Sequence, residues 1–178
     1  MKGLAFAGSN SIESINKQLV KYTLSYFTGH QVNLIDLNDY EMPLFSVDRE
    51  RATGHPQLAY DFVFNIEIAD FLVISLAEHN RSYTTAFKNL YDWISRVDKK
   101  FFREKPMLLM STSPGAYGGG NVMHTAKTFF PQFGANIIET FSLPSFHTHF
   151  NPEQGIIEPE LKKQHEETVI RFLNQLKP

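Results

Sequence analysis

Short apolar runs alternate with longer stretches that are apolar on one side only. Leu4-Ala5-Phe6-Ala7 is the first run and reads as a strand buried on both faces. A helical pattern follows from about Ser14 to Phe27, with Ile15, Leu19, Tyr22 and Tyr26 on one stripe, and Gly29 stops it. Val32 to Leu37 reads as a second strand. Asn38 to Pro56 is irregular, with Pro43, Gly54 and Pro56 and little periodicity. Leu58, Phe62 and Ile66 mark a second helix, Phe71 to Leu76 a strong third strand, and Phe87, Leu90 and Ile94 a third helix ending near Arg96. Pro106 to Ser111 is a fourth strand. Val122, Ala126, Phe129 and Phe130 mark a fourth helix closed by Pro131, and Asn136 to Phe141 a fifth strand. The last helix runs from about Pro159 to Leu176, with His165, Val169, Phe172 and Leu176 inward.

Strict alternation of strand and helix predicts an α/β fold: one parallel sheet with right-handed crossovers and helices on both faces. Five strands fit the flavodoxin-like order 2-1-3-4-5 in a three-layer sandwich. Residues 1–178 form a single domain, with no repeat or linker. The loops after strands one, three and four would then lie side by side at the carboxyl ends of the strands, where open α/β sheets bind ligands.

Composition narrows the function. The 178 residues are 42% hydrophobic, enough for a core, and the formal net charge is −2. No basic stripe suggests nucleic acid. The absence of cysteine excludes disulfides, thiolate catalysis and thiolate metal sites. No run is long enough to span a bilayer, and the apolar start Leu4 to Ala7 is too short for a signal peptide. A soluble cytoplasmic protein is expected. His147-Thr148-His149 would share a face on a strand, but no third ligand is placed nearby, so no metal site is expected.

The three loops carry the chemistry. Gly8-Ser9-Asn10-Ser11-Ile12-Glu13-Ser14-Ile15-Asn16 offers hydroxyls, amides and N–H groups at a helix start, which suit an anion; Ser11 and Ser14 could equally cap the helix. The segment is neither a Walker loop nor a Gly-x-Gly-x-x-Gly fingerprint. Glu13 would repel a phosphate and should point outward. Ala77-Glu78-His79-Asn80-Arg81-Ser82 presents polar groups suited to the edge of a heteroaromatic ring, or else is a solvated turn. Thr112-Ser113-Pro114-Gly115-Ala116-Tyr117-Gly118-Gly119-Gly120 lets backbone approach a flat ligand closely.

Together these motifs resemble those of the NAD(P)H-dependent FMN reductase family, with its azoreductase-like and quinone- or chromate-reducing members. Gly8-Ser9 with Ser14-x-Asn16 is similar to the family's Gly-Ser-x-Arg-x-x-Ser-x-Asn loop. Glu78-His79-Asn80-Arg81-Ser82 followed by Ala86-Phe87-Lys88-Asn89-Leu90-Tyr91-Asp92-Trp93 is similar to its Pro-Glu-Tyr-Asn-Gly-Ser turn and Ala-Leu-Lys-Asn-x-x-Asp-Trp helix. Lys105-Pro106, then Ser111 to Gly115 with Gly118-Gly119, completes the likeness. The resemblance implies that Ser9, Ser14, Ile15 and Asn16 bind the FMN phosphate, with Ser11 among the cofactor-binding residues of the same loop. It implies that Glu78, His79 and Asn80 line the isoalloxazine ring and that Ser113, Gly115, Gly118 and Gly119 form the opposite rim, with Arg81 and Pro114 beside them among the cofactor-binding residues.

Four positions depart from the family pattern. Ser11 replaces the loop arginine and removes a charge partner of the phosphate. Ala77 replaces the turn proline and His79 the tyrosine. Arg81 replaces a glycine near where the resemblance implies that the nicotinamide dinucleotide docks; there it either binds a dinucleotide phosphate or crowds the ring. The implied activity is hydride transfer from NAD(P)H through bound FMN to a small acceptor, with no dedicated acid or base. A homodimer or homotetramer is expected. The rivals are a flavodoxin-type electron carrier, against which the weak net charge argues, and a family member that has lost FMN.

Overall fold

Five parallel strands form the middle layer of the protein in this computed structural model, which describes residues 1–176. The elements in chain order are β1 (Lys2–Gly8), α1 (Ile15–Leu24), β2 (Gln31–Leu34), α2 (Val47–Thr53), α3 (Gln57–Glu67), β3 (Phe71–Leu76), β4 (Glu78–His79), β5 (Ser82–Tyr83), α4 (Thr85–Val97), β6 (Pro106–Thr112), α5 (Gly120–Phe129), β7 (Asn136–Leu143), α6 (Phe146–His149), β8 (Phe150–Asn151), β9 (Gly155–Ile156) and α7 (Pro159–Gln175). The sheet order is β2-β1-β3-β6-β7, the expected 2-1-3-4-5 pattern once the hairpin β4–β5 is set aside.

Side-chain parity explains the two outer layers. Leu4, Phe6, Leu72, Ile74, Leu76, Met107 and Leu109 point to one face, where Phe62 and Ile66 of α3, Phe87, Leu90 and Trp93 of α4, and Val122 and Ala126 of α5 cover them. Ala5, Phe71, Val73, Leu108 and Met110 point to the other, under Leu19 and Val20 of α1 and Val169 and Phe172 of α7. Because β1, β3 and β6 are covered on both sides, they carry continuous apolar runs rather than alternation. Phe87, Tyr91 and Trp93 are core residues, and Phe101 and Phe102 anchor their loop in the same core.

Several local expectations are corrected. The second strand stops at Leu34 rather than Leu37. Asp36 accepts a hydrogen bond from Asn38 N at 3.0 Å and pairs with Lys17 of α1, and this turns the chain into a 3₁₀ turn, Leu37–Tyr40. Helix α1 ends at Leu24 because Ser25, Tyr26 and Phe27 donate to carbonyls three residues back, tightening the last turn. The irregular stretch holds α2, capped by Ser46; it buries no residue, so it left no apolar stripe to read. Glu50 of this helix meets His55 Nε2 at 3.0 Å and Arg96 Nε at 2.9 Å. His147 and His149 lie on the helical turn α6, where residues two apart do not share a face. No helix among the described residues is long and apolar enough to cross a membrane.

Candidate functional site

The three chemically unusual loops leave adjacent strand ends, and the register places Gly8 beside Leu76 and Leu76 beside Ser111. Three long-range contacts then tie each loop to the other two. Asn16 joins the first to the third: its Nδ2 donates to Thr112 O at 3.1 Å, and its Oδ1 accepts from Thr112 N at 3.1 Å and Ser75 Oγ at 2.7 Å. Thr84 joins the second to the first, donating to Gly8 O at 2.8 Å while capping α4 through Phe87 N. Glu78 joins the second to the third. Gly119, at the cap position of α5, has no side chain to offer, so the Glu78 carboxylate accepts from Val122 N at 2.9 Å and Asn121 Nδ2 at 3.0 Å.

In the first loop Ser14 caps α1, accepting from Lys17 N, while Ser11 does not cap. Ser9 Oγ accepts from Ser11 N at 3.2 Å. Both hydroxyls thus act as acceptors within the loop and keep their hydrogens to donate. The N–H groups of Ile12, Glu13, Ile15 and Asn16 have no acceptor among the described residues. With the positive end of α1 behind them, these donors make a neutral candidate cradle for an anion. Ser9 and Ser14 are buried, and Ser11 and Glu13 are exposed. The Asn16 side chain is fully engaged inside the fold, so only its backbone N–H faces the cradle.

The second loop is a two-residue hairpin, with Glu78 opposite Tyr83 and His79 opposite Ser82. The sequence showed a turn but not this pairing. The Glu78 side chain is taken by α5 and the residue is half-buried, whereas His79, Asn80 and Arg81 are exposed. Tyr83 packs flat on Phe130, with centroids 5.9 Å apart and rings 10° from parallel. At the tip Asn80 and Arg81 have φ of 50° and 65°. Asparagine tolerates this conformation; for arginine it costs about 1–2 kcal/mol.

In the third loop Gly118, with φ of 59°, lies so close to the end of β7 that a Cβ would sit 3.0 Å from the Leu143 carbonyl and Pro144 N. Gly119 likewise packs on Ser111. Both glycines therefore serve the fold, and both are buried. Of the expected rim residues Pro114 and Gly115 are exposed and Ser113 half-buried, and Ala116 and Tyr117 of the same loop are exposed as well. Ser145 N donates to Gly115 O at 2.9 Å and Phe146 N to Ser113 O at 3.1 Å, so the segment after β7 shapes this rim.

A cleft of about 360 Å³ runs beside the first two loops, lined by Asn10, His79, Thr84, Leu37, Tyr40 and Met42 among others. Its far wall is held by α4: Asn89 accepts from Phe45 N at 2.8 Å and donates to Met42 O at 3.0 Å, and Trp93 donates to Pro43 O at 2.7 Å. This gives the Lys88-Asn89…Asp92-Trp93 pattern a physical role. Sequence reading missed Thr84 and the wall from Leu37 to Leu44. A threonine just before a helical run is an N-cap signal that could have found Thr84; nothing local marks the wall.

Comparison with known proteins agrees with this geometry. Residues 1–148 match the family model for NADPH-dependent FMN reductase. A quinone reductase of Escherichia coli (strain K12) is 31% identical over 84 residues; the match covers 47% of this chain and 45% of that protein, so the chain spans under half the length of this relative. Among solved structures, FerB, a flavoenzyme NAD(P)H:(acceptor) oxidoreductase from Paracoccus denitrificans, superposes with a TM-score of 0.77 at 21% identity, covering 98% of this chain and 96% of the other. An FMN-dependent NADH-azoreductase from Bacillus anthracis str. Ames Ancestor, in complex with FMN, superposes with a TM-score of 0.67 at 15% identity, covering 99% of this chain and 100% of the other. With a parallel sheet in the order β2-β1-β3-β6-β7, three interlocked loops at its carboxyl end and a family match over most of its length, this chain belongs to the NADPH-dependent FMN reductase family.

Proposed function

We propose that the protein binds FMN non-covalently across the three loops and uses it as an NAD(P)H-dependent oxidoreductase on small acceptors. The observation that carries this is the cradle at the start of α1: free backbone donors and two buried hydroxyls with hydrogens to give, and no lysine or arginine between Gly8 and Asn16. Such a set fits a phosphate monoester without a metal. Bound FMN supplies hydride acceptance and release. Ser9, Ser11, Ser14 and the N–H groups of Ile15 and Asn16 hold its phosphate. The backbone from Glu78 to Arg81 borders one edge of the ring, and Ser113, Pro114 and Gly115 the other.

The protein's part is positioning. Asn16, Thr84 and Glu78 fix the spacing of the loops, so the crevice is formed before a ligand arrives. The acceptor enters an exposed site and is a flat molecule or small oxidant: free flavin, a quinone, an azo compound or a metal oxyanion. The protein works in the cytoplasm as a homodimer or homotetramer. The exposed apolar stripe of Tyr60 and Phe64 on α3, with Ile68 just after its end, supports self-association.

The test is an absorption spectrum of the purified protein, with FMN added, before and after anaerobic NADPH or NADH. A flavin spectrum that bleaches is expected. Protein that stays colourless after FMN is added and desalted sinks the reading. A flavin spectrum untouched by either donor points to an electron carrier instead.

A further inference from the structure

We infer that Arg81 docks a phosphate group of the dinucleotide donor; the inference rests on the FMN-site reading above and adds a residue for its second ligand. The hairpin that carries Arg81 is fixed at both feet, by Glu78 on α5 and Thr84 on Gly8 O, and by the Tyr83–Phe130 stack. Its tip is therefore a defined place at the crevice rim, next to His79, which lines the cleft. At that tip arginine occupies a left-handed backbone position that glycine would fill without strain. Local structure does not explain its presence, and neither does the rest of the fold. Arg49, Arg96, Arg103 and Arg171 each bond to a carbonyl or carboxylate; the exposed Arg51 on α2 and the exposed Arg81 have no acceptor among the described residues, and of these two Arg81 is the one in a loop of the crevice.

Charge identifies the ligand. The first and third loops contain no lysine or arginine, so Arg81 is the cation that the three loops present to an approaching anion. The donor carries a pyrophosphate and, in NADPH, a ribose 2′-phosphate. A guanidinium binds either with two parallel hydrogen bonds.

The experiment compares FMN-loaded wild type with Arg81→Gly and Arg81→Lys. The Michaelis constants for NADPH and NADH are measured, together with calorimetric titration of adenosine 2′,5′-bisphosphate. For Arg81→Gly the NADPH constant should rise by roughly tenfold with kcat unchanged, as loss of one charge-assisted contact predicts. The bisphosphate should weaken in parallel, and the thermal midpoint should hold or rise. Arg81→Lys should fall between. A rise with NADPH alone assigns the contact to the 2′-phosphate; an equal rise with NADH assigns it to the pyrophosphate. Constants that are unchanged or lower for both donors overturn the inference, the lower value marking Arg81 as an obstruction. Wild-type protein that takes up no FMN overturns the site reading and this inference with it; normal FMN uptake with unchanged donor constants overturns this inference alone.

Discussion

Asn16 and Thr112 stand 96 residues apart in sequence and bond to each other twice, the Asn16 amide pairing with both the N–H and the carbonyl of Thr112 at 3.1 Å. A side-chain amide here plays the part of a neighbouring strand. It continues the β6 ladder past its end and ties the anion cradle to the glycine-rich rim.

Replacing Asn16 with Ala removes that pairing and strands the Thr112 backbone and the Ser75 hydroxyl in the interior. The expected loss is about 2–4 kcal/mol, since each buried group left unpaired costs about 1–3 kcal/mol and some relaxation occurs. Urea unfolding measures it. FMN affinity should fall as well, because the two loops lose their fixed spacing. A variant as stable as wild type would show the tie to be incidental.

Glu78 supplies the cap that Gly119 cannot. Glu78→Gln keeps one acceptor oxygen but not both, and should lower stability by about 0.5–2 kcal/mol, the usual worth of a helix cap. Amide exchange at the first turn of α5 should quicken more than elsewhere. Uniform exchange across the protein would contradict the assignment.

Two glycines of one loop should behave differently. Gly118→Ala forces a Cβ against backbone at 3.0 Å, with φ at 59°, and should destabilise the fold by about 1–3 kcal/mol. A Cβ at Gly115 meets only Ser113 Oγ, at 3.8 Å, so Gly115→Ala should leave the thermal midpoint nearly unchanged. If Gly115 forms the ring's rim, FMN affinity should nonetheless drop several-fold. Retained affinity in Gly115→Ala would remove that residue from the site.

His165 predicts a pH dependence. It is wholly buried on α7, shares a 2.8 Å hydrogen bond with Thr23 Oγ1, and sits among Tyr22, Tyr26 and Phe141. With the Thr23 hydroxyl donated to Leu19 O, the tautomer with hydrogen on Nε2 completes the His165–Thr23 bond. Burial pushes its pKa down from 6.5 to about 4. Because the unfolded chain takes up this proton first as pH falls, stability is complete above about pH 6.5 and declines toward pH 4, by on the order of 3 kcal/mol. His165→Phe should flatten that decline in denaturant midpoints measured across the range. Glu166, which accepts from Tyr26 Oη at 3.0 Å on the same helix, stays in both proteins and serves as the internal control.

The runs Leu4–Ala7, Phe71–Leu76 and Pro106–Ser111 determined the architecture by themselves. Strands covered on both faces must be apolar throughout, and three of them separated by amphipathic stretches admit few folds. The three loops were legible too, because serines at a helix start and clustered glycines are local chemistry. What each side chain does there was decided only by tertiary structure. Asn16 and Glu78 read as ligand contacts, yet their amide and carboxylate turn inward to Thr112 and α5. Gly118 reads as room for a ligand, yet it makes room for Leu143. In each case the partner lies 25 or more residues away, as Leu143 does from Gly118, and no local pattern encodes it. The same holds for α2, which buries nothing and is held by its cap and ion pairs rather than by an apolar stripe.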